Sequence, residues 1–310
     1  MQIGRWQAAG ICGAILSLAW AVAPSPIPGQ TAESALSVQN SAGLRLLVSA
    51  DHVSPVLNVI LPGRPAMDRS IEILFPEHVT VVKPGQPSGE QLYMFQPGQG
   101  GERTQWRRSG ASLEYERNFR DGIHLLARAT LEDDGVRFRY DVTNASKVAY
   151  GLIYVPTDPR LTSIFHDERL ERTYVHHADG FDLLASETPD RLTLPLDQWL
   201  PNRYLVSYTW PIPAKLVERR DGGLLHYNKS RPVDMAFIAT VSRDKEWVIA
   251  SFTRTAGNVW SNPELTCQHV DPQMALPAGQ TATIELKMLF IRGSLDDALA
   301  RAKAQRESLK

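Results

Sequence analysis

Apolar and polar side chains alternate one for one along residues 136–142 (VRFRYDV). Val136, Phe138, Tyr140 and Val142 share one side of an extended backbone, and Arg137, Arg139 and Asp141 share the other. A strand patterned this way buries a single face, so it needs a second layer against that face. Residues 123–131 (IHLLARATL) precede it across Glu132-Asp133-Asp134-Gly135, a turn whose glycine can take positive φ, so the two runs read as a hairpin. Similar short runs recur at 70–75, 79–82, 149–155, 204–210, 235–241, 247–253 and 281–291, with Gly, Pro, Asn and Asp between them. In the last run Ile284, Leu286, Met288 and Phe290 alternate with Glu285 and Lys287. No alternation of strands with helices appears, which argues against a doubly wound or barrel α/β fold. The expected fold class is all-β, an antiparallel sandwich closed by a short C-terminal α-helix.

That helix is announced by Ser294-Leu295-Asp296-Asp297, which has the form of a capping box. Leu295, Ala298, Leu299 and Ala302 then recur at helical spacing, while Lys303, Arg306 and Lys310 come late, where the helix dipole favours cations.

The N-terminus has a different character. Arg5 precedes an apolar, small-residue run at 8–23 (AAGICGAILSLAWAVA) that ends in Ala21-Val22-Ala23. The run is shorter than the ~20 residues that span a bilayer, and its small-x-small end suits a signal peptidase. Residues 1–23 are therefore expected to be a signal peptide, with cleavage there or further on near Ala32 or Ala35, and the protein to be periplasmic or secreted. Residues 24–42 (PSPIPGQTAESALSVQNSA) read as a flexible leader, and 43–310 as a single β-sandwich domain. Cys12 leaves with the signal, so Cys267 cannot close a disulfide within the mature chain, and stability must come from the core. The formal charge of −1 becomes −2 when Arg5 is removed. Neither that balance nor any Lys/Arg block points to nucleic acid or, after cleavage, to a membrane surface.

Residues 113–146 (LEYERNFRDGIHLLARATLEDDGVRFRYDVTNAS) resemble the sheet-building hairpins of the galactose mutarotase-like β-supersandwich superfamily. The C-terminal third, with NVWSNPELTCQHVDP, the turn LPAGQTA and the closing strand LKMLFIRG before a helix, resembles exported bacterial members of that superfamily. The resemblance implies an antiparallel β-supersandwich and a carbohydrate partner, mono- or polysaccharide. It does not imply a reaction, since members include epimerases, sandwich domains of lyases and glycosidases, and binding proteins. In one respect the chain departs from the aldose epimerase pattern: Asn144 is followed by Ala145-Ser146-Lys147 and not by a motif containing His, Tyr and Phe.

Two stretches carry the candidate site residues. Residues 165–182 (FHDERLERTYVHHADGFD) look like a polar loop between strands, and His176 or His177 is a candidate catalytic acid there. The plainer alternative is that they are solvated loop histidines. Residues 257–272 (GNVWSNPELTCQHVDP) place Asn258, Trp260 and Asn262 on one face of an extended chain, and Cys267, His269 and Asp271 on one face a few residues later. Trp260 would be an apolar platform for a sugar, with Asn258 and Asn262 as directed polar groups; otherwise Trp260 fills the core and the asparagines shape turns. Glu264 or Asp271 is the candidate catalytic base, and His269 and Asp271 could form an oriented pair, unless Asp271-Pro272 merely opens a turn. Cys267 reads as a small buried hydrophobe. Arg203 is a further substrate-binding candidate, able to pair with an acidic sugar.

No cofactor is expected, and no metal: a zinc set of His176, Asp179 and either His269 or Cys267 lacks any compact ligand spacing. The expected function is an exported carbohydrate-binding or carbohydrate-active protein. The alternatives are a non-catalytic periplasmic interaction module and a polysaccharide lyase built on Tyr174, His176 and Arg203.

Overall fold

The structure, a computed structural model, describes residues 36–49, 52–65, 70–86, 89–94, 103–119, 122–186, 204–209, 217–221, 224–228, 231–261 and 266–310. Residues 1–23, expected to be a signal, lie outside them. Among the described residues, 22 strands form four sheets. The largest runs, edge to edge, β14 (Gly180–Leu183), β13 (Thr173–His177), β18 (Phe237–Val241), β19 (Trp247–Thr253), β22 (Thr281–Arg292), β10 (Gly135–Asn144), β9 (Ile123–Glu132), β8 (Ser112–Asn118) and β7 (Arg107–Ser109). A second runs β1 (Ser37–Gln39), β2 (Arg45–Val48), β3 (Val56–Ile60), β4 (Ser70–Leu74) and β12 (Asp158–Arg160). A third runs β21 (Gln273–Leu276), β11 (Tyr150–Tyr154), β5 (His78–Val82) and β6 (Glu90–Tyr93). The fourth runs β16 (Val217–Asp221), β17 (Leu224–Asn228), β15 (Tyr204–Thr209) and β20 (Asn258–Ser261). Pairing among them is antiparallel except for β15 with β17, which run parallel because β16 intervenes as the return.

The alternating runs lie at the centre. In β9 every second residue is buried, and β10 repeats the pattern after its first residue. Leu125, Ala127, Phe138, Tyr140 and Met288 from the large sheet meet Leu46, Val59 and Ile73 from the second sheet and Val79 and Ile153 from the third in one core. The sequence places the leader at 24–42, yet ordered strand begins inside that stretch: β1 pairs with β2 from Ser37 to Gln39.

Gly135 serves a different purpose from the one expected of it. It is not among the positive-φ glycines; a Cβ there would sit 2.0 Å from the Met288 carbonyl oxygen, so the glycine permits close approach to β22.

The far side of β22 also differs from the expected solvent face. Glu285 and Lys287 are buried there, Lys287 bonding to Glu132, Asp134 and Gln305, and Glu285 accepting from the Lys310 amide. The cause is the C-terminal helix, α1 (Leu295–Gln305), whose Ala298, Leu299 and Ala302 cover Phe237, Val248, Phe252 and Leu289 in a second, smaller core. Its capping box is formed: the Ser294 hydroxyl accepts from the Asp297 amide, and the Asp297 carboxylate accepts from the Ser294 amide. No described helix is long and apolar enough to cross a membrane.

Candidate functional site

An aromatic cluster holds two distant segments together and so creates the site. Phe75, just past β4, packs against Trp106, Tyr115, Phe138 and Tyr140, and its carbonyl accepts a 2.5 Å bond from the Tyr115 hydroxyl. The Glu77 amide bonds to the Pro156 carbonyl at 3.0 Å, and the hydroxyls of Tyr140 and Thr157 meet at 2.5 Å. With these anchors fixed, Glu77 and His78 at the start of β5 lie near Asp158 and Arg160 of β12. A third segment is attached by two isolated bridges, Arg160 with Cys267 and Trp260 with His269. The second bridge closes both main-chain bonds, at 3.0 and 2.9 Å.

His269 is the hub of the cluster. Its Nδ1–H faces Asp271 Oδ1 at 3.2 Å, and its Nε2 faces Asp158 Oδ1 at 3.5 Å. Its ring lies flat against the indole of Trp260, centroids 3.9 Å apart and 4° from parallel. Trp260 Nε1–H donates to Asp271 Oδ2 at 2.6 Å, and Arg160 Nε–H donates to Asp158 Oδ2 at 3.2 Å. His269, Asp158 and Asp271 are 2–4 % exposed, whereas Trp260, Glu77, Tyr154 and Arg160 are half-buried and, with the exposed Gln91, form the more accessible layer.

The electrostatics follow from that burial. Burial alone would push the His269 imidazole toward neutrality, but Cys267, Asp271 and Asp158 outweigh it and raise its pKa well above the ordinary value. Asp158 is the mirror case: burial pushes its carboxyl up, and His269 and Arg160 bring it below the usual range. Glu77 is pushed up, first by burial and then by the negative charge of Asp158 and Asp271. Burial takes His78 down to about 4, against the pull of Asp271. The neutral His78 ring meets the Thr80 hydroxyl at Nδ1 (3.0 Å) and the Gln91 amide nitrogen at Nε2 (3.4 Å).

Of the residues singled out in the sequence, the structure brings Trp260, His269 and Asp271 together. Asn258 opens β20, and its side chain lies outside what the structure describes. Glu264, Asn262 and Arg203 lie outside the described residues. His176 and His177 sit on β13 and are buried, not carried on a solvated loop. His176 Nδ1–H bonds to Asp234 at 2.7 Å with its ring edge-on to Phe181, and His177 Nδ1–H donates to the Pro232 carbonyl at 2.6 Å. They form a separate group at the β13–β14 end of the large sheet. Glu77, His78, Asp158 and Arg160 had no place in the sequence analysis. The one legible signal was in β5, where His78 and Thr80 alternate with Val79 and Val81.

Asp158, Cys267 and His269 also offer metal-ligand atoms that all lie within 4.8 Å of one another. The zinc set considered from sequence, His176, Asp179 and either His269 or Cys267, thus shares only its last member with this group and lacks Asp158, and His176 and Asp179 lie elsewhere.

No family model matches the sequence, and no curated protein does either. Similar solved structures include a galactose mutarotase related enzyme from Lactobacillus acidophilus, 12 % identical, with 84 % of this chain and 98 % of that chain covered at a TM-score of 0.46. A putative aldose 1-epimerase from Escherichia coli is 13 % identical, covering 81 % of this chain and 97 % of that one at a TM-score of 0.41. A polysaccharide lyase, 12 % identical, matches over 82 % of this chain but only 34 % of its own length, at a TM-score of 0.39. What the cluster can bind follows from its own side chains.

Proposed function

We propose that this chain is an exported carbohydrate-binding or carbohydrate-active protein whose ligand is received at Trp260. The observation that carries this is the posture of that indole: half-buried, clamped flat against His269 and pinned at Nε1 by Asp271. An aromatic plane whose orientation is already fixed loses little freedom when a sugar's C–H face stacks on it. The half-buried Glu77 and Tyr154 and the exposed Gln91 are the directed partners that hydroxyls require.

If the protein acts on its sugar, the acid and base are Glu77 and His78. Their environments push them apart, Glu77 toward holding its proton and His78 toward staying neutral, which suits a donor to a ring oxygen and an acceptor from an anomeric hydroxyl. His269 and Asp271, bonded to each other beneath Trp260, then act as the support of the platform. Export rests on the apolar run at 8–23 and is checked by N-terminal sequencing of the protein recovered outside the cytoplasm.

Glycan-array binding by the wild type, by Trp260→Ala and by Trp260→Phe tests the reading. Binding should be lost in the alanine variant and largely kept in the phenylalanine variant, with the fold of both verified by near-ultraviolet circular dichroism. Unchanged binding by folded Trp260→Ala, or no glycan bound by the wild type, removes the proposal. Anomeric exchange followed by NMR, with Glu77→Gln and His78→Ala as variants, separates catalysis from binding.

A further inference from the structure

We infer that Asp158, Cys267 and His269 form a zinc site, with Asp158 Oδ1, the Cys267 sulfur and His269 Nε2 as ligand atoms. The first reason is distance. His269 Nε2 and Asp158 Oδ1 face each other at 3.5 Å, too far for a good N–H···O bond. Two ligand atoms on a tetrahedral zinc, each about 2.1 Å from the ion, stand about 3.4 Å apart.

The second reason is an orphaned atom. Asp158 is almost wholly buried, and its Oδ1 has no hydrogen-bond donor although its Oδ2 is bonded by Arg160. A buried carboxylate oxygen left unpaired is costly, and a cation between it, the imidazole and the thiolate removes that cost.

The third reason is the outer layer. Zinc-bound histidines usually pass their other ring N–H to a carboxylate, which fixes the tautomer and the ring direction. His269 does this through Nδ1 to Asp271 Oδ1, and Asp271 is fixed in turn by Trp260 Nε1. Main-chain bridges set the remaining geometry: Arg160 with Cys267 brings the cysteine segment beside β12, and Trp260 with His269 sets the imidazole. Thiolate, imidazole and carboxylate together are a donor set that suits zinc better than calcium or magnesium. Three protein ligands leave the fourth tetrahedral position for water or a ligand atom.

This inference stands apart from the carbohydrate proposal, since zinc can bind whether or not a glycan does. The experiment is metal analysis of the full chain, freed of any affinity tag and equilibrated with micromolar zinc chloride, followed by replacement of zinc with cobalt(II). One zinc per chain and a thiolate-to-cobalt charge-transfer band in the near ultraviolet are expected. Cys267→Ser should abolish the band. Asp158→Asn and His269→Gln should each weaken zinc binding by about 100-fold or more, and Asp271→Asn by about 10-fold or more through the outer layer. His176→Ala, on the separate β13 group, should leave it unchanged. A wild-type chain that takes up no stoichiometric zinc overturns the site, as does a cobalt form without the thiolate band. So does zinc affinity that is unaltered in Cys267→Ser and Asp158→Asn. Because the cobalt spectrum is read on the wild type, misfolding of a variant cannot protect the inference.

Discussion

The indole of Trp260 and the imidazole of His269 are stacked face to face, 3.9 Å between centroids, and both lead to the carboxylate of Asp271. In the metal-free chain one aromatic plane thus rests on a buried imidazolium between two acids. Removing that ring should be felt by both. His269→Ala leaves Asp158 and Asp271 buried without their shared partner, and unfolding by urea should show a loss of about 3 to 5 kcal/mol. A loss under about 1 kcal/mol would mean that the ring is not the counter-ion of these acids.

A second buried cation gives the fold its acid sensitivity. Lys287 bonds to Glu132 and Asp134 at 2.6 Å each, with Arg137 also on Glu132 and Arg301 near Asp134. Burial would raise both carboxyls, but these partners outweigh it and hold both below the usual range. The sign follows from linkage: their stabilisation is complete above ordinary carboxylate pKa values, about 4, and drains away as pH falls through the lower folded values. Lys287→Met should cost roughly 3 to 5 kcal/mol at neutral pH and flatten the acid limb of a stability-against-pH curve. An unaltered acid limb would assign that sensitivity elsewhere.

His78 adds a loss of the same sign in a higher pH window. Its folded value of about 4 lies below the ordinary 6.5, so the unfolded chain takes up a proton first as pH drops. The stability it lends is intact above about 6.5, declines between there and about 4, and amounts to about 3 kcal/mol. Its imidazole resonances in NMR should not titrate near neutral pH; a midpoint close to 6.5 would contradict the burial that keeps the ring neutral.

Gly135 should tolerate no side chain. Its Cβ would meet the Met288 carbonyl at 2.0 Å, so Gly135→Ala should cost about 1 to 3 kcal/mol in thermal or chemical unfolding. Gly151, where a Cβ would meet nothing nearer than 3.8 Å, is the control and should change by less than about 0.5 kcal/mol.

The framework was legible because its central strands are half-buried, which imprints the two-residue rhythm directly on β9 and β10. The rhythm misled in β22, where Glu285 and Lys287 alternate as a solvent face would. Burial there comes from α1, an element that local pattern does not connect to the strand. His176 and His177 were misplaced because the charged residues before them and Asp179-Gly180 after them look like loop chemistry, while strand pairing with β18 holds them in the sheet. Trp260, His269 and Asp271 could be seen because they fall close together at strand spacing. Glu77 and Asp158 could not, since they reach the cluster only through Phe75, Tyr140 and Thr157, contacts that join remote parts of the chain.

The Trp260–His269 main-chain bridge is isolated, a ladder of one rung. Among the described residues the nearest further main-chain bond between these segments is the Gly257 amide to the Asp271 carbonyl, at 2.9 Å, so the two amides exchange with deuterium when this short stretch opens. Whatever settles against the indole or beneath it must hold the rung shut to stay. The exchange rates of these two amides are therefore a gauge of occupancy, readable without knowing what the occupant is.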